Sequence, residues 1–259
     1  LTAAGTDCSF EFTINTTTDE AIVYTVKPTD DNVSYVVSVL PAATFGESSD
    51  DEIFEAIVNA IAESAEESGE TMAEYIESIS KKGEEHGKVL NLTAETAYLL
   101  VAVGIESDGS QSSLLAKKTV STTAAEPEMT FEMSVSDITS YSAHISVKPS
   151  SGNSNYIFLC QPATNYPDVN VDTPEFGQMF KVTDQVEANK AADAYIANNG
   201  HLLDQEWGLY QGSYNLTMDL ASDTRYFYFA FAYEPRLGRQ SDCQMWVFTT
   251  KHGYTPEEF

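Results

Sequence analysis

The chain has 259 residues and a net charge of −27, with 40 acidic and 13 basic side chains. A surface this acidic repels phosphate backbones and anionic lipid headgroups, which argues against nucleic-acid binding and peripheral membrane binding, and no stretch approaches the roughly 18–20 apolar residues of a transmembrane helix. The hydrophobic content of 42%, with 14 Tyr and 13 Phe, supplies packed cores and excludes a disordered acidic tail.

Strand-like blocks occur twice along the chain. Phe10-Glu11-Phe12 recurs as Phe131-Glu132-Met133, and Val26-Lys27-Pro28 recurs at the same spacing as Val147-Lys148-Pro149. Apolar and polar residues alternate in these blocks with a period of two, which predicts β-strands. A repeat of this length predicts two tandem domains.

The spacing between matching blocks grows after the third strand, so each domain is expected to carry an insert there. The predicted segments are a first domain at 8–123 with an insert at 42–89, a linker at 124–127, a second domain at 128–251 with an insert at 163–219, and a tail at 252–259.

Both inserts carry helix signals. Ser49 and Glu52 form a capping box ahead of apolar residues at helical spacing, and Thr71 precedes a second such run. In the second insert, a short helix is predicted from Thr173 through Phe180 and a longer one from Asp184 to about Asn198, ending at Asn199-Gly200. We therefore expect a pair of helices in each domain.

A third repeated block has the form Leu-x-x-x-Thr-x-Tyr and leads into an apolar strand. Its copies are Leu92 to Tyr98 and Leu220 to Tyr226. This arrangement places a tyrosine at the corner of a β-sandwich, with its hydroxyl reaching back to upstream backbone. Together with the strand order, a glycine-containing hairpin and a last strand ending in Thr-Thr, it resembles the fibronectin type III module. The tryptophan usual on the second strand of that module is missing.

The resemblance implies a mostly β chain with α insertions, built as two tandem immunoglobulin-like, fibronectin III-like sandwiches. The strands that follow Tyr98 and Tyr226 are apolar without alternation. In an antiparallel fold, this pattern indicates burial on both faces. We therefore expect the helices of each insert to cover the outer face of one sheet.

The sequence contains no nucleophile elbow, phosphate loop or dinucleotide fingerprint, and neither the four histidines nor the three cysteines have metal-site spacing. Asp168-Val169-Asn170-Val171-Asp172 resembles the start of a calcium loop but lacks the glycine and the bidentate glutamate. A simple loop is the preferred interpretation, with weak calcium binding as the alternative. We expect no cofactor and no metal, and a protein that is not an enzyme.

Trp207, Tyr210 and Tyr214 precede the second Tyr corner and have no counterpart in the first domain. Aromatic rings on a loop can stack on sugars, but amphipathic rings also seal gaps between a helix and a sheet, and we favour packing. The alternatives for this loop are therefore a carbohydrate-binding site and a structural cluster.

The tandem modules also resemble those of bacterial surface lipoproteins. This resemblance implies export to the cell surface or outside, a lipid anchor upstream of Leu1, and a non-enzymatic role in adhesion or as a spacer, with a protein or polysaccharide ligand. The alternative is a carbohydrate-binding protein that uses the loop from Trp207 to Tyr214. A third, less favoured hypothesis is an enzyme with its site at the joint between domains.

Overall fold

A computed structural model describes residues 7–253. The chain divides into two compact units, Leu1–Glu126 and Pro127–Phe259, so that the division falls inside the predicted linker 124–127. Leu1, upstream of which an anchor is expected, and residues 254–259 of the predicted tail lie outside the described residues. In this part of the chain no helix is long and apolar enough to cross a membrane.

The first unit is a β-sandwich with helices inserted after its third strand. Its elements are β1 (Phe10–Thr17), β2 (Ile22–Pro28), β3 (Tyr35–Pro41), α1 (Ala42–Phe45), α2 (Asp50–Ser68), α3 (Met72–Ile79), β4 (Glu85–Val89), β5 (Ala97–Gly104) and β6 (Ala116–Ser121). One antiparallel sheet has the order β1-β2-β4 and the other the order β3-β5-β6.

The second unit repeats this plan. Its elements are β7 (Phe131–Ser136), β8 (Ser142–Pro149), β9 (Tyr156–Pro162), β10 (Met179–Lys181), α4 (Gln185–Leu203), β11 (Tyr214–Asp219), β12 (Arg225–Glu234), β13 (Gly238–Arg239) and β14 (Gln244–Thr249). One sheet has the order β11-β8-β7, and in the other β12 pairs with β9 and β14, while β10 extends the β14 edge. The mostly β architecture with α insertions is confirmed.

The strands that lack alternation are buried on both faces, as predicted. Along β5, Leu100 faces the core between the two sheets, whereas Leu99 and Val101 pack against the buried Ile57 of α2. Along β12, the odd-numbered phenylalanines contact α4, and the even-numbered tyrosines face the core between the sheets. The inserted helices therefore cover the outer face of the β3-β5-β6 sheet and of its counterpart in the second unit.

Local sequence explains why these helices begin where they do. The Ser49 hydroxyl accepts a hydrogen bond from the backbone N–H of Glu52, and the Glu52 carboxylate accepts one from the backbone N–H of Ser49. Thr71 and Glu74 form the same reciprocal pair at the start of α3. Each capping box satisfies two amide groups that have no partner within the helix.

Both tyrosine corners form with the same geometry. The Tyr98 hydroxyl accepts a hydrogen bond from the backbone N–H of Thr93 at 2.9 Å, and the Tyr226 hydroxyl accepts one from that of Ala221 at 2.9 Å. The threonine that follows the last strand completes each corner, because the Thr122 and Thr250 hydroxyls each accept a hydrogen bond from a backbone N–H on the corner, at 3.0 Å.

One of the two helices predicted for the second unit does not form. Phe176 bridges to Thr249, and Met179 to Lys181 pair with β14, so the predicted helix from Thr173 through Phe180 is an extended segment. The edge of β14 would otherwise have unpaired backbone groups, and hydrogen bonds to them stabilise this segment as an extended strand and not as a short helix. The longer helix continues past the predicted stop at Gly200, because Leu203 packs into the core beneath α4.

The predicted inserts 42–89 and 163–219 each include a strand that is not among the predicted elements. Glu85–Val89 pairs with β2, and Tyr214–Asp219 pairs with β8. Both strands lie at the edge of their sheet. The first lacks the apolar alternation that marks a strand in sequence, whereas the second has it in Tyr214, Leu216 and Met218, next to the aromatic residues interpreted as a loop.

Candidate functional site

Each unit has one sheet face that is open to solvent. Along β1, Phe10 and Phe12 are buried while Glu11 and Thr13, which alternate with them, are exposed, and β8 alternates in the same way. Since the described helices pack on the other sheet of each unit, the β1-β2-β4 and β11-β8-β7 sheets present one face for contact with other molecules. We call these two surfaces the open faces.

The open faces carry rows of hydroxyl, amide and imidazole groups. In the first unit, the Thr25 hydroxyl donates to Asn15 Oδ1 at 2.9 Å and lies 3.0 Å from His86 Nδ1. In the second unit, His144 Nδ1 lies 3.1 Å from the Thr217 hydroxyl. Such rows can donate hydrogen bonds to a polar ligand and accept them from it.

The aromatic loop separates into a packed pair and one exposed ring. Tyr210 lies 4.4 Å from Phe158 and 5.1 Å from Tyr214, measured between ring centroids. Trp207 is 70% exposed and stands between Glu206 and Gly208, which both have positive φ. Among residues 7–253, the ring contacts of the Tyr210 cluster do not include Trp207. The three rings therefore do not make one stacking platform, and the structural role holds for Tyr210.

The segment from Asp168 to Asp172 packs as a loop against α4. Val169 is buried and Val171 is packed against the same core, which leaves the acidic side chains outside. The Lys190 ammonium donates a hydrogen bond to Glu187 at 2.6 Å, and this bond, with a smaller contribution from the Asp168 charge, raises the pKa of Lys190. A lysine already balances the local negative charge, and across residues 7–253 no group of three or more His, Cys, Asp or Glu side chains is placed to hold a metal ion.

Of the two thiols of the second unit, Cys243 is buried and Cys160 is half-buried. Burial raises the pKa of Cys160 to about 12 and also raises the pKa of Cys243, so both remain protonated at neutral pH. Protonated thiols are poor nucleophiles. The cysteines therefore act here as small apolar residues.

One charged pair lies near the second Tyr corner. The Asp223 carboxylate contacts His252 Nδ1 at 2.6 Å and accepts a hydrogen bond from the Gly253 amide, and these contacts hold the pKa of Asp223 below its usual range. Near it, the Arg225 guanidinium donates to the Val171 carbonyl and the Thr173 hydroxyl. This arrangement ties the last strand and an extended loop to the corner.

A groove of about 660 Å³ in the second unit is lined partly by its open sheet and partly by strands β10 and β14 at the edge of its covered sheet. Residues from β7, β8 and β11 line it, together with Lys181, Gln244 and Trp246 from β10 and β14. We call it the Trp246 groove. Sequence reasoning missed it, although the second tryptophan was visible on the last strand, because its lining comes from five separate strands.

The first unit lacks such a groove-lining tryptophan. Trp246 pairs with Tyr228 of β12, and in the matching register Lys118 pairs with Leu100 of β5. The Lys118 ammonium donates to the Phe12 carbonyl at 2.9 Å, across the edges of the two sheets. Lys118 thus links the two sheets of the first unit, at the position that Trp246 occupies in the second unit.

No protein-family model and no curated protein matches the chain. Solved structures with a similar course include a segment of two fibronectin type III domains from chicken tenascin (14% identity, 93% of this chain, 98% of that chain, TM-score 0.27). They also include the FN1–FN3 domains of chicken CNTN1 (12% identity, 93% of this chain, 66% of that chain, TM-score 0.43). A third is a central fibronectin III array of RIM-binding protein (13% identity, 95% of this chain, 69% of that chain, TM-score 0.24).

Strand order, sheet pairing and the duplicated Tyr corners decide the fold. Both units are fibronectin type III-like sandwiches. The departures from a plain fibronectin type III-like sandwich are the helix layer on one sheet and, in the second unit, the added strand β10. The covered sheet is therefore closed to partners on its helix side, whereas the open faces and the Trp246 groove are accessible for binding.

Proposed function

We propose that the chain is a non-enzymatic binding and spacer protein, exported to the cell surface or beyond, whose open faces contact a protein or polysaccharide ligand. The observation that carries this proposal is the asymmetry of each sandwich. One sheet is covered by helices of the chain itself, and the other presents polar rows such as Asn15, Thr25 and His86.

The net charge of the chain argues against nucleic acid or anionic lipid as the ligand. The net charge of −27 repels both at long range, so a partner is held by short-range hydrogen bonds and local contacts. The hydroxyl, amide and imidazole groups on the open faces suit ligands with many polar groups.

The test uses defined probes and substitutions on the open faces. The purified chain is presented to a glycan array and to a panel of collagen, laminin and fibronectin. Thr13→Arg and Thr217→Arg each place a bulky charge at an exposed position of an open face, and they are expected to reduce binding at least about fivefold. Asn59→Arg and Asn198→Arg add the same charge on exposed positions of α2 and α4 and serve as matched controls. Equal effects of both pairs would refute the role of the open faces.

Carbohydrate binding by the loop from Trp207 to Tyr214 remains the alternative, and the exposure of Trp207 favours it. Trp207→Ala removes this ring without touching a core. Unchanged binding on the glycan array after that substitution would remove the loop from consideration.

A further inference from the structure

The Trp246 groove combines features that the rest of the open faces do not bring together. Its volume of about 660 Å³ lies in the range of small-ligand sites, about 300–1,000 Å³. The half-buried indole of Trp246 supplies an apolar wall, and the hydroxyls of Ser134 and Ser146, 2.7 Å apart, supply a polar floor. An aromatic ring beside hydroxyl groups suits a ligand that has apolar C–H faces and polar edges.

Several polar groups of the groove have no hydrogen-bond partner among the described residues. Within residues 7–253, no hydrogen bond engages the indole N–H of Trp246 or the side-chain amides of Asn215 and Gln244. These groups can donate hydrogen bonds to a ligand that is rich in oxygen acceptors.

The groove also holds an uncompensated positive charge. Lys148 is paired with Glu132 at 3.1 Å, whereas no ion pair or hydrogen bond within residues 7–253 engages the exposed Lys181 ammonium. Lys181 lies directly opposite Trp246 in the pairing of β10 with β14. In a chain with 40 acidic and 13 basic residues, an unpaired lysine beside an indole matches a ligand that carries one negative charge. The net charge of −27 disfavours a polyanion.

We propose that the Trp246 groove binds an oligosaccharide that bears a single carboxylate, such as a uronic acid unit. The sugar ring packs on Trp246, its hydroxyl groups bond to Asn215 and Gln244, and its carboxylate contacts Lys181. This inference rests on the proposed function as a binding protein and names the ligand class of one open face.

The two tryptophans make a direct test possible. Trp207→Phe leaves Trp246 as the single indole of the chain, so its indole N–H signal in ¹⁵N NMR reports the groove alone. The probe is a xylo-oligosaccharide that carries one glucuronic acid, and its control is the same oligosaccharide after reduction of the carboxylate. We expect the Trp246 signal to shift on titration, with weaker binding of the reduced probe and weaker binding at high salt.

Lys181→Gln, in the same background, is expected to weaken binding of the acidic probe roughly fivefold to tenfold, as loss of an exposed charge-assisted hydrogen bond implies. Lys82→Gln, which changes an exposed lysine of the first unit, is the matched control and is expected to change the affinity less than about twofold. Equal affinity for the two probes, equal effects of the two lysine variants, or a Trp246 signal that does not move would each overturn the inference.

The outcomes separate this inference from the proposed function. If the Trp246 signal does not move, but the chain binds a panel protein and Thr13→Arg weakens that binding, the proposal for the groove is refuted and the proposed binding function stands. If neither the panel nor the array binds, the proposed function fails. A Trp246 shift that depends on Lys181 supports the groove whatever the panel shows.

Discussion

Tyr226→Phe tests the second tyrosine corner by removing one oxygen atom. The ring stays, and its stacking on Phe248, with centroids 5.5 Å apart and an interplanar angle of 18°, is preserved. The hydroxyl that accepts a hydrogen bond from the Ala221 amide at 2.9 Å is lost.

The expected cost is that of one hydrogen bond, about 0.5–1.5 kcal/mol, because the bond is only part-buried and the amide left behind belongs to the exposed Ala221. At a urea m value of about 2 kcal/mol/M for a unit of this size, a loss of about 1 kcal/mol lowers the unfolding midpoint by roughly 0.5 M. The same change at Tyr98 is expected to have an effect of similar size, because Thr93 is exposed in the same way.

Tryptophan fluorescence during urea unfolding is the assay, since Trp207 and Trp246 both lie in the second unit. The control is Tyr195→Phe on α4, a half-buried tyrosine whose hydroxyl makes no hydrogen bond within residues 7–253. Its expected effect is below about 0.5 kcal/mol. If Tyr226→Phe lowers the free energy of unfolding no more than Tyr195→Phe does, the corner hydrogen bond does not stabilise the fold.

Three further predictions address the helix layer, the thiols and the charged pair. Ile57→Ala, at a position 2% exposed beneath α2, is expected to lower the free energy of unfolding by about 2–5 kcal/mol in far-UV circular dichroism, and a loss under about 1 kcal/mol would mean that the helices share no core with the sheet. Cys160 and Cys243 are expected not to react with Ellman's reagent at pH 8 until the chain unfolds, because burial raises the pKa of both thiols, and fast native-state modification would contradict this. The contacts with His252 lower the pKa of Asp223 in the folded chain. The stabilisation they give is therefore present above the pKa of this carboxyl in the unfolded chain, and it is lost as pH falls through its lower pKa in the folded chain. The difference in urea midpoint between the native chain and Asp223→Asn should shrink on acidification, and a constant difference from pH 5 to about pH 2 would refute this linkage.

Much of the architecture was predictable because local sequence patterns indicate it. Alternation with a period of two marks strands such as β1 and β8, and capping boxes at Ser49 and Thr71 mark helix starts. The absence of alternation in β5 was equally informative, because a strand that is apolar on both faces requires two cores.

The candidate site was much less predictable. Trp207, Tyr210 and Tyr214 are close in sequence, yet the structure packs Tyr210 and Tyr214 against Phe158 and leaves Trp207 outside that cluster. The Trp246 groove depends on β7, β8, β10, β11 and β14, which are brought together only by sheet pairing. No local pattern reports which residues of distant strands share a surface.

The sequence by itself indicated the tandem repeat, most of the sandwich strands, the paired tyrosine corners and the helix layer, because each of these follows from a repeated block of residues or from side-chain periodicity. Tertiary structure decided that Met179 to Lys181 form a strand, that α4 continues through Gly200, and that β11 completes the open face. The physical reason is that a free strand edge and a buried core stabilise these segments from a distance, and such partners outweigh the local preferences of a short stretch of chain.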